Sequence, residues 1–372
     1  MKICQVISGY YRNDPRVFQR QSKSLVQAGF EVSILTNDGG ASEVLDGIPI
    51  HTTRVFYKKR IKVLLFGKTQ FIRDAIRLDA DAYIIHSPEL LSLGVSLRRI
   101  GKIVVYDAHE DLPRHILEKD WLPKYIRRPI ATIVEVYMSW ALKKFHEVIS
   151  PHNHVVERIL KINPNTTLIT NFAKVQESRL LDQSDYFDRP KRLCYSGTVY
   201  FHSNQETILT AISAIDGVEY KIAGFLDDEF NKKLSMIDGY EKLEFIGRLP
   251  WNELNSFYNK CVIGLVIIDY KKNLGGKNGT FAVNKMFEYM AAGIPIICSD
   301  YALWENVINK HGCGICVQPG DVKSLRTAIR VLLEDQKMAY EMGQNGIKAV
   351  LQEYNWATQE KKLIEIFRRY TK

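Results

Sequence analysis

Residues 284–300 read Asn-Lys-Met-Phe-Glu-Tyr-Met-Ala-Ala-Gly-Ile-Pro-Ile-Ile-Cys-Ser-Asp, a short helix that runs directly into an unbroken apolar stretch. Apolar runs without alternation suit strands buried on both faces of a parallel sheet. A helix followed at once by such a strand is half of a βαβ unit, so this stretch alone predicts a doubly wound α/β domain.

The same unit recurs on both sides. Upstream in the second half lie RLCYSGTV, EYKIAGF, LEFIGRL and CVIGLVIIDY, and CGICVQPGD follows. The first half repeats the scheme with KICQVIS, EVSILTND, DAYIIHSP, KIVVYDAHE, HEVISP and TTLITNFA. Asp14-Pro15 predicts a capped helix with Val17, Phe18, Leu25 and Ala28 as its apolar stripe and Gly29 as its stop. Residues 175–192 are charged, lack a clear period and read as a linker. The expected organisation is residues 1–174, a linker at 175–192, and residues 193–355. A last amphipathic helix over about 356–372 is expected to return to the first domain. Two such domains with the carboxyl ends of their sheets facing one central cleft would place ligands at the loops after the strands.

Length and composition agree. At 372 residues, 46% of them hydrophobic and 25% charged, two soluble domains are expected. No apolar run approaches the roughly 18–20 residues that span a bilayer, and the opening MKICQVIS reads as a strand, so the expected location is the cytoplasm. Six scattered cysteines among apolar residues suit buried thiols, and Cys313-Gly-Ile-Cys316 lacks the further ligands of a zinc site. The net charge of +9 resides entirely in residues 1–180, which hold 27 basic and 18 acidic side chains. Such asymmetry points to an anionic partner on the first domain. The basic clusters Lys58-Lys59-Arg60-Lys62, Arg98-Arg99-Lys102 and Lys124-Arg127-Arg128 are accompanied by Phe56, Tyr57, Leu64, Leu65, Phe66, Trp121 and Tyr125. Basic and aromatic groups together suit an anionic membrane surface, although each cluster can equally be a solvated face. No zinc-finger, helix-turn-helix or RNA-binding signature is present, so nucleic acid is not the expected partner.

The opening stretch also carries chemistry. The loop Gly275–Thr280 (GGKNGT) precedes the helix, and free N–H groups at a helix start favour a phosphate. Lys285 adds a mobile cation in the first turn, and Glu288 can accept hydrogen bonds from two ribose hydroxyls. The alternatives are a solvated lysine and an acid that only complements the helix dipole.

The motif resembles the donor-binding signature of the family 4 glycosyltransferases, written K-x-F-E-Y-M-A-A-G-x-P. Asn13-Asp14-Pro15-Arg16-Val17 with Ala28-Gly29-Phe30-Glu31-Val32, Asp107-Ala108-His109-Glu110, and Glu353-Tyr354-Asn355-Trp356 match the same family in order and spacing. The resemblance implies a GT-B fold, retention of anomeric configuration and no metal. It also implies that Glu288 holds the ribose of a UDP- or GDP-linked sugar and that His109 lines the sugar near the reacting carbon. Two departures stand out. Members often carry a Glu eight residues before the second one, where this chain has Thr280. The loop after the first C-terminal strand usually brings an Arg and a Lys to the pyrophosphate. Here Ser196-Gly197-Thr198-Val199-Tyr200-Phe201-His202-Ser203-Asn204 has neither, which leaves Lys285 as the leading replacement and Arg248 as the second.

The expected site therefore comprises His109 and Lys285 as catalytic groups, with Gly197, Thr198, Arg248, Thr280, Phe281, Asn284 and Glu288 on the donor. Tyr10, Arg12, Asp14 and Arg16 follow the first strand on the acceptor side, although Asp14 serves equally as a cap. The expected reaction moves a sugar from a nucleotide sugar to a glycan or a lipid-diphosphate-linked acceptor, as in surface polysaccharide synthesis. Glu110 and Asp111 hint at a glycosidase pair, but the remainder of the chain argues for a nucleotide site. Rival readings are a GT-B sugar-nucleotide epimerase, which needs acid/base carboxylates around the sugar, and a non-catalytic nucleotide-sugar-binding protein.

Overall fold

A computed structural model describes residues 1–54, 67–119, 121–174 and 183–371. The chain divides into two compact units, Met1–Thr170 with Thr358–Lys372, and Asn171–Ala357.

The first unit holds β1 (Lys2–Val6), β2 (Glu31–Thr36), β3 (Glu43–Leu45), β4 (Ile48–Thr52), β5 (Ala82–Ile85), β6 (Ile103–Asp107), β7 (Glu147–Ser150) and β8 (Thr166–Leu168). Their order is β3-β4-β2-β1-β5-β6-β7-β8, parallel except for β3 against β4. That hairpin turns at Asp46 and Gly47, both at positive φ, as a tight two-residue turn requires. The strands anticipated over 2–8, 31–38, 81–88, 102–110 and 146–151 are present, and β1, β5, β6 and β7 are buried almost throughout. The direction in which successive strands are added reverses between the parallel neighbours β1 and β5, the place where open α/β sheets take ligands.

The helix after β1 departs from the expected α-helix. Asp14 caps it by accepting the N–H groups of Arg16 (2.8 Å) and Val17 (2.9 Å), but Pro15–Ser22 winds as a π-helix before Lys23–Gln27 continues as α. In an α-helix residues five apart lie on different faces. The wider i→i+5 winding brings Arg16 and Gln21 to the same side, where both are buried.

The second unit holds β9 (Arg192–Thr198), β10 (Glu219–Phe225), β11 (Leu243–Gly247), β12 (Ile263–Val266), β13 (Ile296–Ser299) and β14 (Gly314–Val317). All are parallel in the order β11-β10-β9-β12-β13-β14, the doubly wound Rossmann order, with its switch between β9 and β12. Gly224 on β10 pairs with Gly197 on β9. A Cβ on Gly224 would lie 1.8 Å from the Gly197 carbonyl oxygen, so the close approach of these strand ends demands glycine. All six cysteines are free thiols, and Cys316 faces Cys298 across the β13–β14 pair at 3.7 Å.

Part of the expected linker is core. Gln183–Phe187 is helical, and the buried Tyr186 donates its hydroxyl to the Val262 carbonyl, so this segment belongs to the second unit; residues 175–182 lie outside the described ones. The last helix, Trp356–Arg368, crosses into the first unit. There Gln359 accepts the Thr170 N–H, Phe367 packs edge-on against Phe30, and Arg369 pairs with Glu147 at 2.8 Å. No helix among the described residues is long and apolar enough to cross a membrane.

Candidate active site

In the second unit a cavity of about 540 Å³ opens at the switch point. Its wall includes Gly197, Thr198, His202, Arg248, Asn284, Lys285 and Glu288. The helix Asn284–Ala291 begins here without a side-chain cap, so its first backbone N–H groups remain open to an anion. The Asn284 side-chain oxygen is buried with no hydrogen-bond partner among the described residues. Lys285 lies with its Nζ 3.6 Å from the centroid of the Tyr195 ring, and a Cβ on Gly197 would sit 3.5 Å from that Nζ. The lysine therefore brings its charge to the loop that lacks cations of its own. Arg248 also lines the cavity, with its guanidinium over the Phe225 ring.

Glu288 is held from behind. The Tyr258 hydroxyl donates to Glu288 Oε2 at 3.0 Å and lies 2.9 Å from Ser196 Oγ. The Tyr289 hydroxyl accepts the Ser196 N–H at 2.9 Å. Two buried tyrosines and a strand-end serine thus fix one carboxylate oxygen and leave the other for a ligand. His202, beside them, has its imidazole pushed down to about 4 by burial and by Lys271, so it is neutral at pH 7.

The first unit gathers a second cluster at its own switch point. Arg16 forms a two-pronged ion pair with Asp107, Nε to Oδ2 and Nη2 to Oδ1, both at 2.8 Å, and Gln21 donates to Oδ2 at 2.6 Å. Burial opposes ionisation of Asp107, but Arg16 and then His109 outweigh it and hold the carboxyl well below its usual range. His109 Nε2 stands 3.2 Å from Asp107 Oδ2 and 3.0 Å from His86 Nδ1. The amide nitrogen of Gln5 donates to Val17 O and Ser22 Oγ, so its oxygen faces His86 Nε2 at 2.7 Å and accepts that N–H. Burial keeps His86 neutral, its pKa lowered, so its Nδ1 accepts the Nε2–H of His109. His109 Nε2 therefore carries a proton in this cluster, and its Nδ1 takes no part in these bonds. Tyr10 packs its ring 4.8 Å from His109, and His152 donates to the His109 carbonyl.

His86, Asp107 and His109 offer donor atoms within 4.8 Å of one another, the arrangement a metal ion needs. A guanidinium already paired to both Asp107 oxygens places positive charge against any such ion, and the hydrogen bonds account for the clustering.

Both halves of the chain match known families. Residues 177–349 match the model described as glycosyl transferases group 1, and residues 15–176 match glycosyltransferase family 4. The chain belongs to the GT4-type glycosyltransferases. Its fold is GT-B, and it is a transferase of the glycosyl-transferring class. It is similar to sucrose-phosphate synthase from Thermosynechococcus elongatus at 18% identity and a TM-score of 0.76, covering 99% of this chain and 98% of that one. It is similar also to a glycosyltransferase from Rickettsia africae ESF-5, with 14% identity, TM-score 0.72 and coverage of 99% and 98%. Anabaena Alr3699/HepE in complex with UDP and glucose matches at 12% identity, TM-score 0.73 and coverage of 99% and 100%. No curated protein sequence matches the chain.

Among the residues anticipated from this transferase's sequence, Gly197, Thr198, Arg248, Asn284, Lys285 and Glu288 meet at one cavity. Thr280 and Phe281 do not line it. Thr280 is fully buried, its carbonyl taken by the Trp304 indole N–H, and Phe281 packs with Phe172, Phe287 and Tyr354. On the acceptor side Tyr10 flanks His109, but the other three serve the scaffold. Arg12 is bound by Asp38, Glu43 and the Ala41 carbonyl, Asp14 is the cap, and Arg16 is buried against Asp107. The reason is that each meets a partner inside its own unit: a carboxylate for Arg12 and for Arg16, and the first N–H groups of the helix for Asp14. Sequence reading missed His86, although a histidine at the carboxyl end of a buried strand was a usable signal. It also missed Tyr258, Gln5 and Gln21, which are ordinary core positions in the linear chain.

Proposed function

We propose that this transferase moves a sugar from a UDP- or GDP-linked donor to a glycan or lipid-diphosphate-linked acceptor, with retention of anomeric configuration. We place it in surface polysaccharide synthesis on the cytoplasmic face of the membrane. The observation that carries the reading is Glu288, clamped by Tyr258 at the rim of a cavity that also receives Lys285 and an uncapped helix start. A carboxylate beside a phosphate site is useful when it grips a diol, as the ribose of a nucleotide offers. The complexes of Anabaena Alr3699/HepE with UDP, with UDP-glucose, and with UDP and glucose support a nucleotide-sugar partner.

In this reading the departing diphosphate collects charge as the anomeric bond breaks. Lys285, Arg248 and the backbone N–H groups at Asn284 and Lys285 meet that charge, the main catalytic demand of the reaction. The acceptor hydroxyl attacks from the leaving-group face and passes its proton to a phosphate oxygen, so neither a metal nor a second carboxylate is needed. His109 is assigned to the donor sugar by its D-A-H-E motif, and its hydrogen bond to His86 suits a group that must present one chosen nitrogen.

A thermal-shift panel of UDP-, GDP- and dTDP-sugars tests the donor. At about a hundred times its dissociation constant a true donor stabilises the fold by roughly 2.7 kcal/mol. The Glu288→Gln variant should lose most of that stabilisation. A panel without effect, or an undiminished shift in the variant, defeats the reading.

A further inference from the structure

The helix Lys124–Leu142 is apolar on two sides. Its inner side, with Ala131, Met138, Ala141 and Leu142, is buried in the first unit. Its outer side is not covered by the described residues. Tyr125, Ile133 and Val136 are 81%, 69% and 65% exposed, Trp140 is 45% exposed, and Trp121 just before the helix is 75% exposed. At 100° per residue, positions 125, 133, 136 and 140 fall within one arc of about 80°, with Pro129 inside it. Scattered apolar side chains at a surface need no explanation, but a stripe about four turns long marks something that covers it.

We propose that this stripe lies in the interface of an anionic lipid bilayer. Charge decides the occupant. Lys124 and Arg128 stand at one end of the stripe and Lys143 and Lys144 at the other, while Glu135 is the one acid in the helix and is turned to Arg158 at 3.5 Å. The Lys144 ammonium lies 5.1 Å from the Trp140 ring centroid, and Tyr137 stacks on Trp140 at 6.0 Å. Exposed tryptophan and tyrosine between cations suit a headgroup boundary, whereas the like charges at both ends oppose pairing with a second copy of the same face. At its Arg128 end the stripe meets a cavity of about 390 Å³, walled by Arg114, Arg128 and Arg158 with Asp111 and Glu135, which can admit a lipid phosphate. The adjoining helix Leu112–Leu117 follows directly from the His109 loop. Docking here would bring a membrane-borne acceptor to the same unit that carries His109. The purpose, though not the binding, rests on the proposed transfer to a lipid-linked acceptor.

Flotation of the full-length chain with phosphatidylcholine vesicles, with and without 30% phosphatidylglycerol, tests the proposal. Binding should require the anionic lipid, weaken as salt rises from low to high, and shift the tryptophan emission to the blue. Replacing Trp140→Ser and Val136→Ser together should lower vesicle affinity at least tenfold. Replacing Lys124→Ala and Arg128→Ala should lower it about fivefold per charge. The variants should keep the wild-type thermal shift with donor nucleotide, which reports the fold and stands apart from vesicle binding. Equal binding to neutral vesicles, no binding, or a dimer that the Trp140→Ser/Val136→Ser variant turns into monomer without loss of vesicle affinity would overturn it.

Discussion

Glu288 illustrates how one side chain is prepared for a ligand. Its Oε2 is bound by Tyr258, itself 2.9 Å from Ser196, so turning the carboxylate away from the cavity would give up a hydrogen bond to a charged group. Removing a hydrogen bond to a charged group costs about 1.5–3 kcal/mol. Tyr258→Phe should therefore weaken donor nucleotide binding about tenfold, read by titration calorimetry, with the far-ultraviolet spectrum unchanged. His109 is prepared differently, by a relay from Gln5 through His86 that decides which nitrogen carries the proton. His109→Ala should reduce turnover by at least a hundredfold while the affinity for the nucleotide stays within a factor of three. A parallel loss of both would place the residue in binding instead of transfer. Legibility differed between the two. The motif around residue 288 named the glutamate, but Tyr258 lies 30 positions away and nothing local distinguishes it from any core tyrosine.

Two elements turn packing into site geometry. The first is the π-helical turn after β1, which delivers Arg16 and Gln21 to one carboxylate. Asp107→Asn would leave the Arg16 guanidinium buried against a neutral amide, and breaking a buried pair from one side costs about 3–5 kcal/mol. A urea melt should show that loss, and an unchanged midpoint would mean that Arg16 finds another partner. The second is the contact between β12 and the helix Asn284–Ala291. A Cβ on Gly264 would lie 2.3 Å from the Tyr289 ring. Gly264→Ala should push that helix outward, destabilising the second unit by about 1–3 kcal/mol and weakening donor binding with it. Patterning reveals strands and helices well because burial imposes a period on them. It does not reveal a π-helical turn, since the apolar stripe from Val17 to Ala28 is compatible with either winding.

Across the whole molecule, buried histidines tie stability to pH. His152 and His154 in the first unit and His202 in the second are pushed down to about 4, chiefly by burial, from an ordinary 6.5. Between those values the unfolded chain binds protons that the folded chain refuses, so stability rises with pH there. Their contribution is complete above about pH 6.5 and is lost as pH falls through about 4; the depressed Asp107 carboxyl extends the loss in the same direction at lower pH. Melting temperature should therefore be level between pH 7.5 and 6.5 and fall steeply towards pH 4. The variant His154→Phe should flatten that acid limb, and a limb of unchanged slope would remove this histidine from the account. The charge imbalance also belongs to this scale. The basic excess lies in residues 1–180, and the expected patch at Lys58, Lys59, Arg60 and Lys62 lies outside the described residues, as do Phe56, Tyr57, Leu64, Leu65 and Phe66.

By itself the sequence determined the two doubly wound domains, since unbroken apolar strands alternating with amphipathic segments have few other ways to bury their surface. It also determined the Asn284–Glu288 side of the cavity in the second unit, because the helix start, the lysine and the carboxylate are neighbours in the chain. The tertiary structure alone decided which charges are taken up by internal partners and which face the cavity. Arg12 and Arg16 read like Lys285 in a linear string, yet the first two find carboxylates far along the chain, and the described residues offer the third none. Whether a cation is spent on an internal partner depends on what the fold brings within about 4 Å of it, and strand order sets that distance where residue order does not.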